Sequence, residues 1–119
     1  MSDEPILLRD ESAGVVRLIL NRPKAFNSLN RALLDALHDA LDAIAASPTA
    51  RVVGLAGSGK AFCAGHDLKE IGDDRSAEPI GALFSHCSAM MLKLQDLPQP
   101  VIAEIDGIAT AAGCQLVAA

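Results

Sequence analysis

Two short segments of this chain hold residue types whose spacing suits chemistry on a developing oxyanion. The first is Ala61-Phe62-Cys63-Ala64-Gly65-His66-Asp67-Leu68-Lys69-Glu70, in which small residues run from a buried strand toward a helix start. Asp67 and Glu70 have the spacing of a capping box, with Asp in the Ser/Thr place. The peptide N–H groups around His66 are therefore expected at a helix N-terminus. The second is Asp106-Gly107-Ile108-Ala109-Thr110-Ala111-Ala112-Gly113-Cys114-Gln115, where the backbone again passes from strand to helix through residues almost without side chains. Two such N-termini aimed at one point form an oxyanion hole, able to stabilise negative charge on a thioester oxygen. Tight helix–sheet packing also selects Gly and Ala, so the residues alone leave both readings open.

Other constellations carry less. Gly54 and Gly59-Lys60 match GxxxxGK, but Ala61 stands where a hydroxyl would ligate Mg²⁺, and Gly54 falls inside an apolar run. A strand-to-loop turn is the expectation there. Cys63, His66, His86 and Cys87 offer metal-ligand types, yet His86 and Cys87 are adjacent on a helix and point in different directions. Buried thiol and surface imidazole are expected instead, with no metal. A Cys63–His66 nucleophile pair would lie within one segment, whereas catalytic Cys and His usually converge from distant ones.

The elements that must position these segments follow from periodicity. Ile6 to Arg9 and Val15 to Leu20 are β-type runs, and the polar stretch Asp10 to Gly14 between them reads as a hairpin turn. Arg22-Pro23 stops the second strand, because proline removes a ladder donor. Asn30 is the expected N-cap of a helix from Arg31 to Ala46, with Leu33, Leu34, Leu37, Leu41 and Ile44 on one face. Val52 to Ala56 is uniformly apolar, as a strand buried on both faces would be. A second helix from Pro79 to Leu97 carries Ile80, Leu83, Phe84, Cys87, Met91 and Leu94 on one stripe, and Val101 to Ile105 is another buried-type strand. Strands alternating with helices imply βαβ crossovers and a largely parallel sheet, an α/β fold.

Composition narrows the function classes. The chain has 119 residues, 15 acidic against 10 basic, and is 50% hydrophobic. That allows one domain with a modest core and excludes a disordered chain. No apolar run approaches the roughly 20 residues of a membrane span. A net charge of −5 argues against nucleic acid as partner, and three Phe without Trp or Tyr are too few for a base-stacking platform. Three cysteines without a CxxC pair suit a reduced, cytoplasmic compartment. Ala109 to Ala119 is small and apolar without a stop signal or polar tail, so the chain is expected to be cut inside an element.

The two segments, taken in order with Asn21-Arg22-Pro23-Lys24-Ala25-Phe26-Asn27-Ser28-Leu29 before them and Pro100-Val101-Ile102-Ala103-Glu104-Ile105-Asp106-Gly107 leading into the second, resemble the enoyl-CoA hydratase/isomerase (crotonase) family. The resemblance implies a spiral of ββα units with a mostly parallel sheet. Residues 1–119 would be the N-terminal part of one such domain, without the remaining core and the C-terminal trimerisation helices. It further implies an acyl-CoA or enoyl-CoA substrate, no cofactor apart from the coenzyme A of the substrate, and a homotrimer or dimer of trimers.

By motif position, the backbone N–H groups of His66 and Ala112 would be the two oxyanion donors. Ala64, Gly65, His66, Asp67, Leu68 and Lys69 would border the thioester and pantetheine, and Lys24 and Ala25 would approach the adenosine end. The chain departs from the family twice. Ala111-Ala112 replaces consecutive glycines, which narrows the passage while keeping the amide. Gln115 stands where hydratases carry one catalytic Glu, and a neutral amide orients water but cannot take its proton. Two functions are thereby expected: a hydratase or isomerase stabilising an enolate, with the acid/base role falling to a group beyond residue 119 or to Glu104, Asp106 or His66, or a CoA-thioester-binding or assembly subunit without hydration chemistry.

Overall fold

The computed structural model describes residues 5–59, 61–65, 77–104 and 108–109. The fold starts with a hairpin of β1 (Leu7–Ser12) and β2 (Val15–Leu20), with Leu7 opposite Leu20 and Ser12 opposite Val15. The stretch expected as a turn is mostly strand. Asp10, Glu11 and Ser12 continue the ladder because β1 is an edge strand whose side chains there face solvent, where acids cost little. The turn itself is Ala13-Gly14, both with positive φ (53° and 85°), the pairing a two-residue hairpin needs to match strand twist.

β2 alternates as a half-buried strand does, with Val16, Leu18 and Leu20 inside. Helix α1 (Arg31–Ala45) follows the loop after β2, and Asn30 caps it as expected: its side chain accepts from the Leu33 N–H at 2.8 Å. Leu33, Leu34, Leu37, Leu41 and Ile44 are all buried against the sheet core. A buried glutamine fastens the far end, because Gln99 Nε2 donates to the carbonyls of Ile44 (3.0 Å) and Ala50 (3.3 Å).

Strand β3 (Val52–Gly57) pairs parallel with β2 on one side and with β5 (Val101–Glu104) on the other, giving the sheet order β1-β2-β3-β5. The βαβ reading holds, and the sheet is mostly parallel. Burial on both faces of β3 holds only at its carboxyl end: Val53 and Leu55 are buried on one face and Ala56 on the other, while Val52 and Gly54 are partly open. β5 also alternates, with Ile102 59% exposed, in place of the buried strand expected. Over the open face an Arg17–Glu104 ion pair (2.7 Å) crosses Gly54, where a Cβ would meet Glu104 Oε2 at 3.4 Å.

Helix α2 (Ala77–Asp96) buries Leu83, Cys87, Met90 and Leu94. Leu83, Cys87 and Leu94 belong to the expected stripe, and Met91 packs partly buried against the same core. Met90 is in the core and Phe84, about 100° around the helix, is 45% exposed. α1 and α2 run the same way, since His86 Nε2 meets Asp35 Oδ1 (2.7 Å) and, seven residues on along both helices, Lys93 Nζ meets Asp42 Oδ1 (2.9 Å). Two short strands absent from the sequence expectations complete the topology. β4 (Ala61–Cys63) and β6 (Ile108–Ala109) form a separate parallel pair, with Ala61 opposite Ile108 and Cys63 opposite Ala109. Among the described residues no helix is long and apolar enough to cross a membrane.

Candidate functional site

The carboxyl ends of β2, β3 and β5 point the same way, and open parallel sheets bind ligands beyond that edge. Two loop stretches meet there, 21–29 after β2 and 58–59 after β3. The first begins with a 3₁₀ turn (Pro23–Ala25), for which Pro23 supplies the required φ at the first position. Phe26 and Asn27 then adopt left-handed φ values of 53° and 56°. Asn27 is fully buried and locks the loop: its Oδ1 accepts from the Arg22 N–H (2.7 Å) and its Nδ2 donates to the Ser58 carbonyl (2.8 Å). The Arg22 guanidinium donates to the Ser28 carbonyl at 2.5 Å, so this cation braces the loop. Ser58 Oγ donates to Asn21 Oδ1 at 3.0 Å, and Gly59 approaches Pro23 so closely that a Cβ would lie 2.8 Å from the proline ring.

Two backbone bonds clamp this loop onto the segment leaving β4. The Ala64 N–H donates to the Phe26 carbonyl (3.0 Å), and the Leu29 N–H donates to the Gly65 carbonyl (2.6 Å). Lys24, Ala25, Ala64 and Gly65, singled out from sequence for different parts of one ligand, therefore belong to one hydrogen-bonded unit. Gly65 has φ +95°, a conformation that side chains rarely adopt. It is the residue immediately before His66. Lys24 is exposed and has no ion pair among the described residues. His66, Asp67, Leu68, Lys69, Ala112 and Gln115 lie outside the described residues, as does Asp106.

The β4–β6 pair is what relates the two chemistry-bearing segments. Cys63 stands opposite Ala109 after a register irregularity between Ala61 and Cys63, and in the sequence His66 and Ala112 each follow three residues later. Paired strands lie about 4.8 Å apart, so Cys63 and Ala109, from which the two segments continue, are neighbours. The sequence signal for this strand pair was slight, because two- and three-residue strands leave no periodicity.

The described members of the competing sites are buried or engaged elsewhere. Cys63 is fully buried, and desolvation raises its thiol pKa against a smaller lowering from a Gly65 backbone hydrogen bond. Such a thiol stays protonated and out of reach of substrate, which removes it as a nucleophile. Burial, with Cys63 beside it, pushes the Cys87 thiol up to about 11. His86 is engaged by Asp35 and stacks on His38 with ring centroids 4.4 Å apart, and among the described residues no group of three or more side chains could hold a metal ion. Glu104, named as one alternative acid/base group but read first as a solvated side chain, is ion-paired with Arg17 on the exposed face of the sheet. Sequence reasoning missed Asn27 and Ser58 as loop locks; the polar residues flanking Pro23 were the available signal.

Comparison with known proteins gives a consistent result. The family model described as enoyl-CoA hydratase/isomerase matches residues 10–119. An enoyl-CoA hydratase of Mycobacterium smegmatis, known from its crystal structure, is 57% identical and superposes with a TM-score of 0.94, over 97% of this chain and 45% of that one. The zebrafish (Danio rerio) enoyl-CoA hydratase domain-containing protein 3, mitochondrial, is 39% identical over 95% of this chain, and 1,2-epoxyphenylacetyl-CoA isomerase of Escherichia coli (strain K12) is 33% identical over 92%. The chain spans 39% and 43% of those two proteins.

Proposed function

The chain belongs to the enoyl-CoA hydratase/isomerase family, with the crotonase-type α/β fold, and on that premise we propose that it binds an acyl-CoA or enoyl-CoA thioester and polarises its carbonyl toward an enolate. The observation that supports this reading is the β4–β6 pairing, which sets Cys63 opposite Ala109, three residues before His66 and Ala112 in the sequence. Backbone N–H groups of these two residues would hold the carbonyl oxygen as it gains charge. Each such donor is worth about 3 kcal/mol to an anionic transition state. They act by position alone, so the rigid loop around Asn27 and the glycine conformation at Gly65 are what make them effective.

Proton transfer is the second requirement. Gln115 supplies hydrogen bonds without basicity, and Glu104 is held by Arg17, so neither takes a proton from water at the site. The acid/base group of a hydratase or isomerase would then be one outside these two residues. Calorimetric binding of crotonyl-CoA, with loss of its enoyl absorbance followed in parallel, tests the proposal. Binding with turnover supports a hydratase, and absence of binding removes the thioester reading. A homotrimer or a dimer of trimers is the proposed assembly, checked by sedimentation.

A second reading, favoured by Gln115 and by the Arg17–Glu104 pair, is a thioester-binding subunit without hydration chemistry. It expects binding without turnover. Restoration of hydration by Gln115→Glu would show a competent scaffold that lacks only its base.

A further inference from the structure

The backbone amide of Leu29 is placed where it can act on chemistry that it does not touch. Its N–H donates to the Gly65 carbonyl at 2.6 Å, at the short end of N–H···O distances. A peptide bond is planar and trans, so its carbonyl and its N–H point in opposite directions. The N–H that shares a peptide plane with the Gly65 carbonyl is that of the next residue, His66. Whatever fixes the carbonyl therefore aims the N–H assigned above to the thioester oxygen. Gly65 needs such a stop, because at φ +95° it has no side chain to restrict its rotation.

Leu29 itself has little freedom. Its side chain is fully buried in the core, and the next residue, Asn30, caps α1 by accepting from the Leu33 N–H at 2.8 Å. On the other side the buried Asn27 ties the loop to Arg22 and Ser58. The amide is thus anchored by the core and by α1, independently of any ligand.

We propose that Leu29 is a positioning residue for the first oxyanion donor. Its N–H and the thioester oxygen stand at the two ends of one hydrogen-bonded chain, Leu29 N–H to the Gly65 carbonyl and His66 N–H to the thioester. The Leu29 bond sets the peptide plane. It also draws electron density toward the Gly65 oxygen, which makes the N–H across the peptide a stronger donor. This deepens the thioester reading given above and rests on it.

The test follows the carbonyl stretch of bound butyryl-CoA, labelled with carbon-13 at the thioester carbonyl, by difference infrared spectroscopy. Hydrogen bonds to a carbonyl lower that frequency. The unsubstituted protein is compared with two backbone variants, in which an α-hydroxy acid of the same side chain replaces Leu29 or Ser28 and turns the amide into an ester. The Ser28 N–H donates to the Ala25 carbonyl at 3.1 Å, so its loss loosens the same loop without removing a bond to Gly65. The Leu29 ester is expected to lose at least the roughly 10–30% of the downshift that one bond adds to its neighbour in a chain, and the Ser28 ester to keep it all. Equal loss in both variants shows that only loop rigidity matters and overturns the proposal, as does a full downshift in the Leu29 ester. A second measurement needs no variant. In the unsubstituted protein the Leu29 amide proton resonance moves downfield as butyryl-CoA saturates the site, because the chain is polarised from both ends. A resonance that does not move overturns the proposal whether or not the Leu29 ester folds. In each of these cases a downshift in the unsubstituted protein leaves the thioester reading standing. If that protein binds butyryl-CoA without a downshift, or does not bind it, both fall.

Discussion

Gly65 concentrates the demands that the site makes on a single residue. Its φ of +95° turns the chain just before His66, and its carbonyl accepts the Leu29 N–H. Gly65→Ala is expected to lower stability by about 1–2 kcal/mol in denaturant titration and to weaken thioester binding, because any L side chain strains that turn. Asn27→Ala removes two hydrogen bonds at once and leaves the Arg22 N–H and Ser58 carbonyl unsatisfied. Its cost is expected at about 1–3 kcal/mol per buried group left unpaired. The buried thiols behave differently. Cys87, ordinarily ionising at 9.0, is pushed to about 11, and Cys63 moves the same way. The unfolded chain loses these protons first, so it binds fewer than the folded chain above the ordinary thiol range. Stability is therefore undiminished by these groups below about 9 and falls as pH rises from 9 toward 11. Mass-spectrometric mapping after iodoacetamide at pH 8 should find Cys63 and Cys87 unmodified in the native chain and both modified in urea.

Between elements, apolar packing outweighs the visible charge contacts. α1 and α2 are joined by Lys93–Asp42 and His86–Asp35, whose carboxylate side chains are both mostly exposed. Solvent screens such pairs, so Lys93→Ala is expected to cost less than about 1 kcal/mol in urea unfolding. Met90→Ala on the same helix empties a fully buried position and should cost about 2–5 kcal/mol by the same measurement. A result in the reverse order would show that the helices are held by charge and not by the row Leu83, Cys87, Met90 and Leu94. That row illustrates the limit of helical periodicity. Leu83, Cys87 and Leu94 were legible from spacing, and Met91 packs at the edge of the core, but hydrophobicity alone placed Phe84 in the stripe ahead of Met90. Which row turns inward depends on how α2 crosses the sheet and α1.

Across the whole molecule the ligand edge is separated from the rest. A cleft of about 260 Å³, lined by residues that include Glu11, Gly14, Val16 and Thr49, sits at the hairpin turn, at the opposite end of β2 and β3 from the site loops. Thr49→Ala is therefore expected to leave thioester affinity unchanged in calorimetry. The βαβ order, the capped helix α1 and the motif segments were legible in the residues themselves. Each rests on local physics: Asn30 reaches only as far as Leu33, the leucines of α1 repeat at 3.6 residues, and Pro23 and Pro48 stop elements wherever they occur. The ordered motifs likewise identified the family without any coordinates. Tertiary structure alone decided the rest. It set which face of β3 and β5 is covered, since Val52 and Ile102 are as apolar as Val53 and Val101 and differ only in what lies opposite. It also joined β4 to β6, because pairing between residues 46 to 47 positions apart leaves no mark in either short strand. Finally, it directed Glu104 to Arg17, an ion pair spanning 87 residues that no local pattern encodes.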